Sequence, residues 1–251
     1  MAKTQRDAVV EVMIELGGYA KLGDLYRHAL NVPGVNWGTK TPFASMRRIV
    51  QTNPQFYKIR PGLWALEAYR DKLPFTEQAS EDAPAPVREA FSHSYFQGLL
   101  VEIGNFQNFT TYVPPQDKNR AFLDKPLDAV TTVKKIYDFS YTELTNRART
   151  VDVIWFNHRK MPNAFIEVEH STDISNSLGK FMDLQDFYAE FTIAAPNARE
   201  AEFLEKRGRA AYKPIEKRVK FWDYDSVAEA HSHFAGLAAL GLLGNGADKA
   251  V

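Results

Sequence analysis

Two apolar runs, residues 150–156 (TVDVIWF) and 164–170 (AFIEVEH), stand on either side of the short turn NHRKMPN, and both carry acids. Stretches rich in β-branched and aromatic residues, bounded by a polar turn, read as two strands of a hairpin. Asp152 lies within the first run, flanked by Val151, Val153 and Ile154. Glu167 and Glu169 lie two apart on the second run, so their side chains leave the same face. Acids are depleted in strands, and a buried one needs a partner. The fold must therefore bring a cation to these three carboxylates, or let Glu167 and Glu169 line a solvated face with Asp152 paired to an arginine. The spacing leaves both readings open. A divalent metal is a natural partner: Mg²⁺ takes oxygen ligands, often one or two carboxylates with water and phosphate. Such an ion can polarise a phosphate, activate the attacking water and stabilise the leaving oxygen.

Around this hairpin the pattern predicts an α/β module. A helix spans roughly 87–106, carrying Phe91, Tyr95, Leu99 and Glu102, and a strand covers 109–114. A less regular helical stretch is expected over 120–145. After the hairpin come a helix with Ile174, Leu178, Phe181 and Tyr188 at helical spacing, a strand at 191–196, a helix over AREAEFLEKRGRA, and a last strand at 218–225. The residues from about Gly244 read as frayed.

Residues 71–88 (DKLPFTEQASEDAPAPVR) are Pro-, Ala- and acid-rich without periodicity, and read as a linker between residues 1–70 and 89–251. The N-terminal module reads as three helices and a hairpin. Val9, Val10, Met13, Ile14 and Leu16 form one apolar stripe before Gly17-Gly18; Leu22, Leu25, Tyr26 and Leu30 form a second. Thr41 is the expected cap of a third helix with Pro42 at its first position. That helix should turn Phe43, Met46, Ile49 and Val50 inward and Ser45, Arg47, Arg48 and Gln51 outward. Residues 56–59 and 63–66 alternate as two short strands around Arg60-Pro61-Gly62, giving an α+β winged helix-turn-helix.

The 251 residues suffice for one large domain or two modest ones. No run reaches the roughly 18 apolar residues of a membrane helix, and the first residues lack a signal-peptide layout, so a cytoplasmic protein with no membrane partner is expected. There are no cysteines, which removes disulfides and thiolate zinc sites. The formal net charge is zero, mildly against a nucleic-acid binder, although local charge distribution decides. The six histidines show no metal-ligand spacing.

Asp152 with Glu167-Val168-Glu169 after a short hairpin resembles the PD-(D/E)XK nuclease superfamily, whose order of helix, three strands, helix and strand residues 87–196 follow. The resemblance implies Asp152 and Glu167 as ligands of a catalytic Mg²⁺, with Glu169 completing the site. Glu102 matches a helical Glu that many members add. The superfamily's usual E-x-K is here Glu167-x-Glu169, similar to the E-x-E of several restriction enzymes. Lys180 on the next helix could supply the missing charge, with a solvated lysine as the alternative. Gln185 and Tyr188 resemble a Gln/Tyr pair that approaches DNA in some nucleases of this fold, a core-packed tyrosine being the alternative. Residues 41–66 (TPFASMRRIVQTNPQFYKIRPGLWAL) resemble the HARE-HTH winged helix. This implies a DNA reader in which Thr41, Ser45, Arg47 and Arg48 face the major groove and Lys58 and Arg60 the backbone.

Two basic groups could line a phosphate track: Arg147, Arg149, Arg159 and Lys160 around Asp152, and Lys206, Arg207, Arg209, Lys213, Lys217, Arg218 and Lys220 downstream. The resulting expectation is a Mg²⁺-dependent restriction-type endonuclease acting as a homodimer on double-stranded DNA at a specific sequence, modified bases included. The rivals are a nuclease-like regulator that binds DNA without cutting it, and a repair or structure-specific nuclease.

Overall fold

The structure, a computed structural model, describes residues 3–243. The expected fraying from Gly244 lies outside the described residues. The described parts of Met1–Ala83 and Ala228–Val251 form one compact unit, and Pro84–Val227 forms the other. The boundary at Ala83/Pro84 falls inside the stretch expected to be a linker, and the residues from Ala228 group with the N-terminal module.

In the first unit, α1 (Gln5–Glu15) starts with a reciprocal cap: Asp7 N donates to Thr4 Oγ1 and Thr4 N to Asp7 Oδ2. It buries Ala8, Val9, Val12 and Met13, whereas Ile14 and Leu16, expected on the stripe, are exposed. A short strand not foreseen from the sequence, β1 (Tyr19–Lys21), leads into α2 (Leu22–His28). Then come α3 (Pro42–Thr52), β2 (Phe56–Arg60) and β3 (Leu63–Leu66). The three strands make an antiparallel sheet in the order β1-β3-β2. Met46 and Val50 on α3 are buried, with Phe43 and Ile49 packed beside them. Thr41 occupies the N-cap position, but its side chain makes no capping hydrogen bond. Within residues 71–83, Leu73 and Phe75 are buried, Phe75 packs edge-on against Tyr19, and α4 (Thr76–Ala79) follows.

The second unit is mixed α/β, a mixed sheet flanked by helices. Its elements are α5 (Ala85–Phe106), β4 (Thr110–Tyr112), the small hairpin β5 (Ala121–Phe122) and β6 (Lys125–Pro126), α6 (Thr142–Ala148), β7 (Val153–Phe156), β8 (Pro162–Val168), α7 (Ile174–Asp183), β9 (Glu190–Ala195), α8 (Glu200–Arg207) and β10 (Val219–Asp223). Little of the stretch 120–145 is helical, contrary to expectation. The last helix, α9 (Tyr224–Ala239), was not read from the sequence; from Ala228 it belongs to the first unit.

The five-stranded sheet runs β10-β9-β8-β7-β4. β4, β7 and β8 pair antiparallel, whereas β8-β9 and β9-β10 pair parallel, so the pairing changes sense at β8. All four residues of β7 are buried, because the strand is covered on both faces. Trp155 turns to α5, donating from Nε1 to Leu100 O, while Ile154 and Phe156 join Phe165, Leu178, Phe181 and Phe191 in the main core. Period-2 alternation thus assigns Glu167, two after Phe165, to the α7 face. Gly98 on α5 lies where Phe122 closes in: an added Cβ would stand 2.2 Å from that ring.

Candidate functional site

The three acids meet where β7 begins and β8 ends. Asp152 lies just before β7 and Glu169 just after β8, rather than inside the strands. Asp152 Oδ2 accepts from Val168 N at 2.8 Å, so the carboxylate stands in for a backbone carbonyl of the neighbouring strand. Glu169 N donates to Ala194 O at 2.8 Å, which prolongs the β8-β9 pairing and fixes the second acid.

α7 reaches over this end of the sheet. Asp173 caps it, accepting from Ser175 N, and Ile174, Leu178 and Phe181 anchor its buried stripe. Ser177 and Lys180, one turn apart, then meet the acids. Lys180 Nζ lies 2.9 and 2.8 Å from the two oxygens of Glu167 and 2.9 Å from Thr150 O. Ser177 Oγ bonds both Glu167 Oε2 and Glu169 Oε1, and Thr172 Oγ1 bonds Glu169 Oε2. Lys180 is therefore a partly buried partner of Glu167 rather than a solvated lysine.

From α5 come His93 and Gln97. His93 Nε2 is 3.4 Å from Asp152 Oδ2, and Gln97 Nε2 donates to Asp152 O at 2.8 Å and to Asp117 Oδ2 at 3.1 Å. Glu89, one turn before His93, accepts from Ser171 Oγ at 2.6 Å. Glu102 lies five residues beyond Gln97, about 140° around the helix at 3.6 residues per turn.

The electrostatics follow from burial. Glu167 is 2% exposed, and its carboxyl is pushed well above the usual range by burial, with the Asp152 charge adding and Lys180 opposing. Burial also raises Glu169, against the hydrogen bond from Ser177. For His93, burial works against the charged form, but the hydrogen bond and charge of Asp152 outweigh it and the pKa rises. Among the described residues, no group of three or more His, Cys, Asp or Glu side chains stands ready-made as a metal cage. Asp152 Oδ1 accepts no hydrogen bond among the described residues.

Other expected residues lie elsewhere. Gln185 and Tyr188 fall beyond the end of α7, and Tyr188 is fully exposed rather than core-packed. The downstream basic cluster is largely committed within the fold. Lys206 pairs with Asp173 and Glu202, Arg209 with Glu205, Lys213 with Glu216 and Lys220 with Glu190. Arg218 bonds the carbonyls of Gln185, Phe187 and Ala189, and Arg207 that of Val219. In the first unit, Arg48 is exposed, and Arg47 pairs with Glu229 at 3.5 Å. Ser45 Oγ bonds Thr41 O, and Arg60 Nη1 bonds Ile59 O, with Lys58 exposed beside it.

His93, Gln97, Asp117, Arg120 and Ser177 were not singled out from the sequence. A usable signal existed for one pair: His93 and Gln97 are polar residues one turn apart on a helix.

Fold and site together define a mixed α/β protein with a buried carboxylate-lysine cluster at one end of its sheet, chemistry suited to a cation. Residues 72–238, which contain this whole cluster, match the family described as the type II restriction enzyme NmeDI C-terminal domain, and the chain belongs to that family. The type II restriction enzyme NmeDI of Neisseria meningitidis serogroup C is 27% identical over 150 residues, covering 56% of this chain and 42% of that protein. The chain thus aligns with less than half the length of that relative. No solved structure matches. Among the described residues, no helix is long and apolar enough to cross a membrane.

Proposed function

We propose that the chain is a type II-like, Mg²⁺-dependent deoxyribonuclease of PD-(D/E)XK type, cutting double-stranded DNA at a specific sequence, modified bases included, as part of cytoplasmic restriction. The observation that carries this reading is the convergence of Asp152, Glu167 and Lys180 within the stretch shared with a restriction-enzyme family.

The donor set fits a hard divalent ion. Asp152 and Glu167 offer carboxylate oxygens and would hold Mg²⁺, with water and phosphate as the remaining ligands. When bound, the ion would polarise the scissile phosphate and lower the pKa of its water. The chain's own residues supply the setting. Val168 N orients Asp152, and Ser177 holds Glu167 and Glu169 together. Lys180 brings the positive charge that E-x-E lacks, from α7 instead of the strand.

The first unit is read as a HARE-HTH-like winged helix that binds DNA through α3 and the β2-β3 hairpin. Two copies, one per strand, would give a homodimer.

The test is plasmid cleavage across a Mg²⁺ titration. Asp152→Asn and Glu167→Gln should each abolish cleavage while DNA binding persists. Cleavage by both variants at the wild-type rate refutes the assignment of this site.

A further inference from the structure

A closed ring of polar contacts joins α5, the loop after β4 and the start of β7. His93 Nε2 lies 3.4 Å from Asp152 Oδ2, and Asp152 O accepts from Gln97 Nε2 at 2.8 Å. Gln97 Nε2 also donates to Asp117 Oδ2 at 3.1 Å, and Arg120 Nε pairs with Asp117 Oδ1 at 2.9 Å. Arg120 Nη1 then returns to His93 Nδ1 at 3.4 Å.

Donor and acceptor roles around the ring are forced. A guanidinium only donates, so in the neutral imidazole His93 Nδ1 accepts from Arg120 and carries no proton. The imidazole proton then sits on Nε2, where it is donated to Asp152. Gln97 faces two acceptors with the same end, so that end is the NH₂ group and the amide orientation follows. The consequence is that Gln97 Oε1 is buried with no partner. A buried acceptor without a donor is unfavourable. It is tolerated because the other end of the amide ties Asp117 to the Asp152 backbone.

We propose that His93 is a positioning residue for Asp152, locked by Arg120 into its Nε2–H form so that Asp152 presents one committed and one open oxygen. Oδ2 takes the two donors, Val168 N and His93 Nε2, leaving Oδ1 for whatever the site binds. Groups that orient a ligand in this way commonly matter by ten- to a hundredfold in metal affinity or activity. The geometry stands alone; its catalytic consequence rests on the nuclease reading.

Two measurements on the full chain test this. The first is the ring ¹⁵N spectrum of His93 near pH 8, assigned by the signal lost in His93→Gln. The expected pattern is a protonated, pyrrole-type Nε2 and a bare, pyridine-type Nδ1, collapsing toward tautomer averaging in Arg120→Ala. The opposite tautomer in the wild type, or no change in Arg120→Ala, overturns the proposal whether or not the protein cuts DNA. The second is cleavage. His93→Phe should slow it by about tenfold or more and raise the Mg²⁺ needed for half-maximal rate, with DNA affinity unchanged. His93→Gln, which keeps a side-chain N–H donor, should recover much of the loss. An active wild type with His93→Phe equally active overturns the positioning role. A wild type that never cuts refutes the nuclease reading and leaves the tautomer to decide the ring.

Discussion

Replacing Lys180 with Met keeps the side-chain stem on α7 and removes the ammonium that contacts both oxygens of Glu167. Breaking a buried ion pair from one side typically costs about 3–5 kcal/mol, because the remaining charge is left without its partner. The lower end, about 3 kcal/mol, applies near pH 8, since Lys180 keeps a fifth of its side chain exposed. The loss must depend on pH. Glu167 already has a folded pKa above its ordinary 4.5, so its ionisation works against the fold. That penalty is absent below about pH 4.5 and grows as pH rises toward the folded value. Lys180 lowers that folded value by charge and hydrogen bond, so losing it raises the value further and steepens the decline of stability with pH. Near pH 5 Glu167 can take a proton, and what remains is the lost donor to Thr150 O, about 1 kcal/mol. Urea unfolding in chelator, near pH 5 and pH 8, reads both numbers. An equal loss at the two pH values would refute the reasoning that Lys180 compensates a buried negative charge.

The two α3 arginines should separate in their effects. Arg48→Ala should lower the salt slope of DNA binding by about one unit without changing the melting temperature. Arg47→Ala should also lower the melting temperature, because Arg47 is tied to Tyr26 and Glu229; fluorescence anisotropy across a salt series with thermal melts checks both. Gly98→Ala would ordinarily favour a helix interior, but its Cβ would stand 2.2 Å from the Phe122 ring. The expected result is a loss of about 1–3 kcal/mol by denaturant unfolding, and a gain would show that Phe122 can move aside.

The strands of the second unit were legible because their burial on both faces writes itself as continuous apolar runs, VDVIWF and AFIEV above all. The acids stood out against that background, so Asp152, Glu167 and Glu169 could be singled out, and the fold brings them together. What periodicity does not carry is reach. The spacing of Ile174, Leu178 and Phe181 marks the buried stripe of α7 but not where the Lys180 ammonium ends, and only the fold shows it on Glu167. Some pairings of the downstream cations were hidden for the same reason. Their partners include Asp173 and Glu190, about thirty positions away, a separation that local reading ignores. The stretch 120–145 was unreadable because much of its chain is held by side-chain-to-backbone bonds such as Asn105 Nδ2 to Val130 O, which leave no period. α9 was missed because residues 224–239 bury Ser232 and His231 alongside apolar residues, blurring the stripe.

The β7-β8 turn has a bearing on how such a protein tolerates change. Asn157 Oδ1 accepts from both Arg159 N and Met161 N, and Lys160 takes a positive φ of 61° to close the loop. From this turn the pairing runs through Trp155 opposite Ala164 and Val153 opposite Ile166, ending with Asp152 on Val168 N. A turn more than ten ångströms away, at about 3.3 Å per residue, therefore sets which atoms of the two strands stand opposite one another at the acids. A single inserted or deleted residue there would shift one strand against the other and send Glu167 to the opposite face. Relatives that drift at this exposed tip can be expected to trade residues freely but to keep its length.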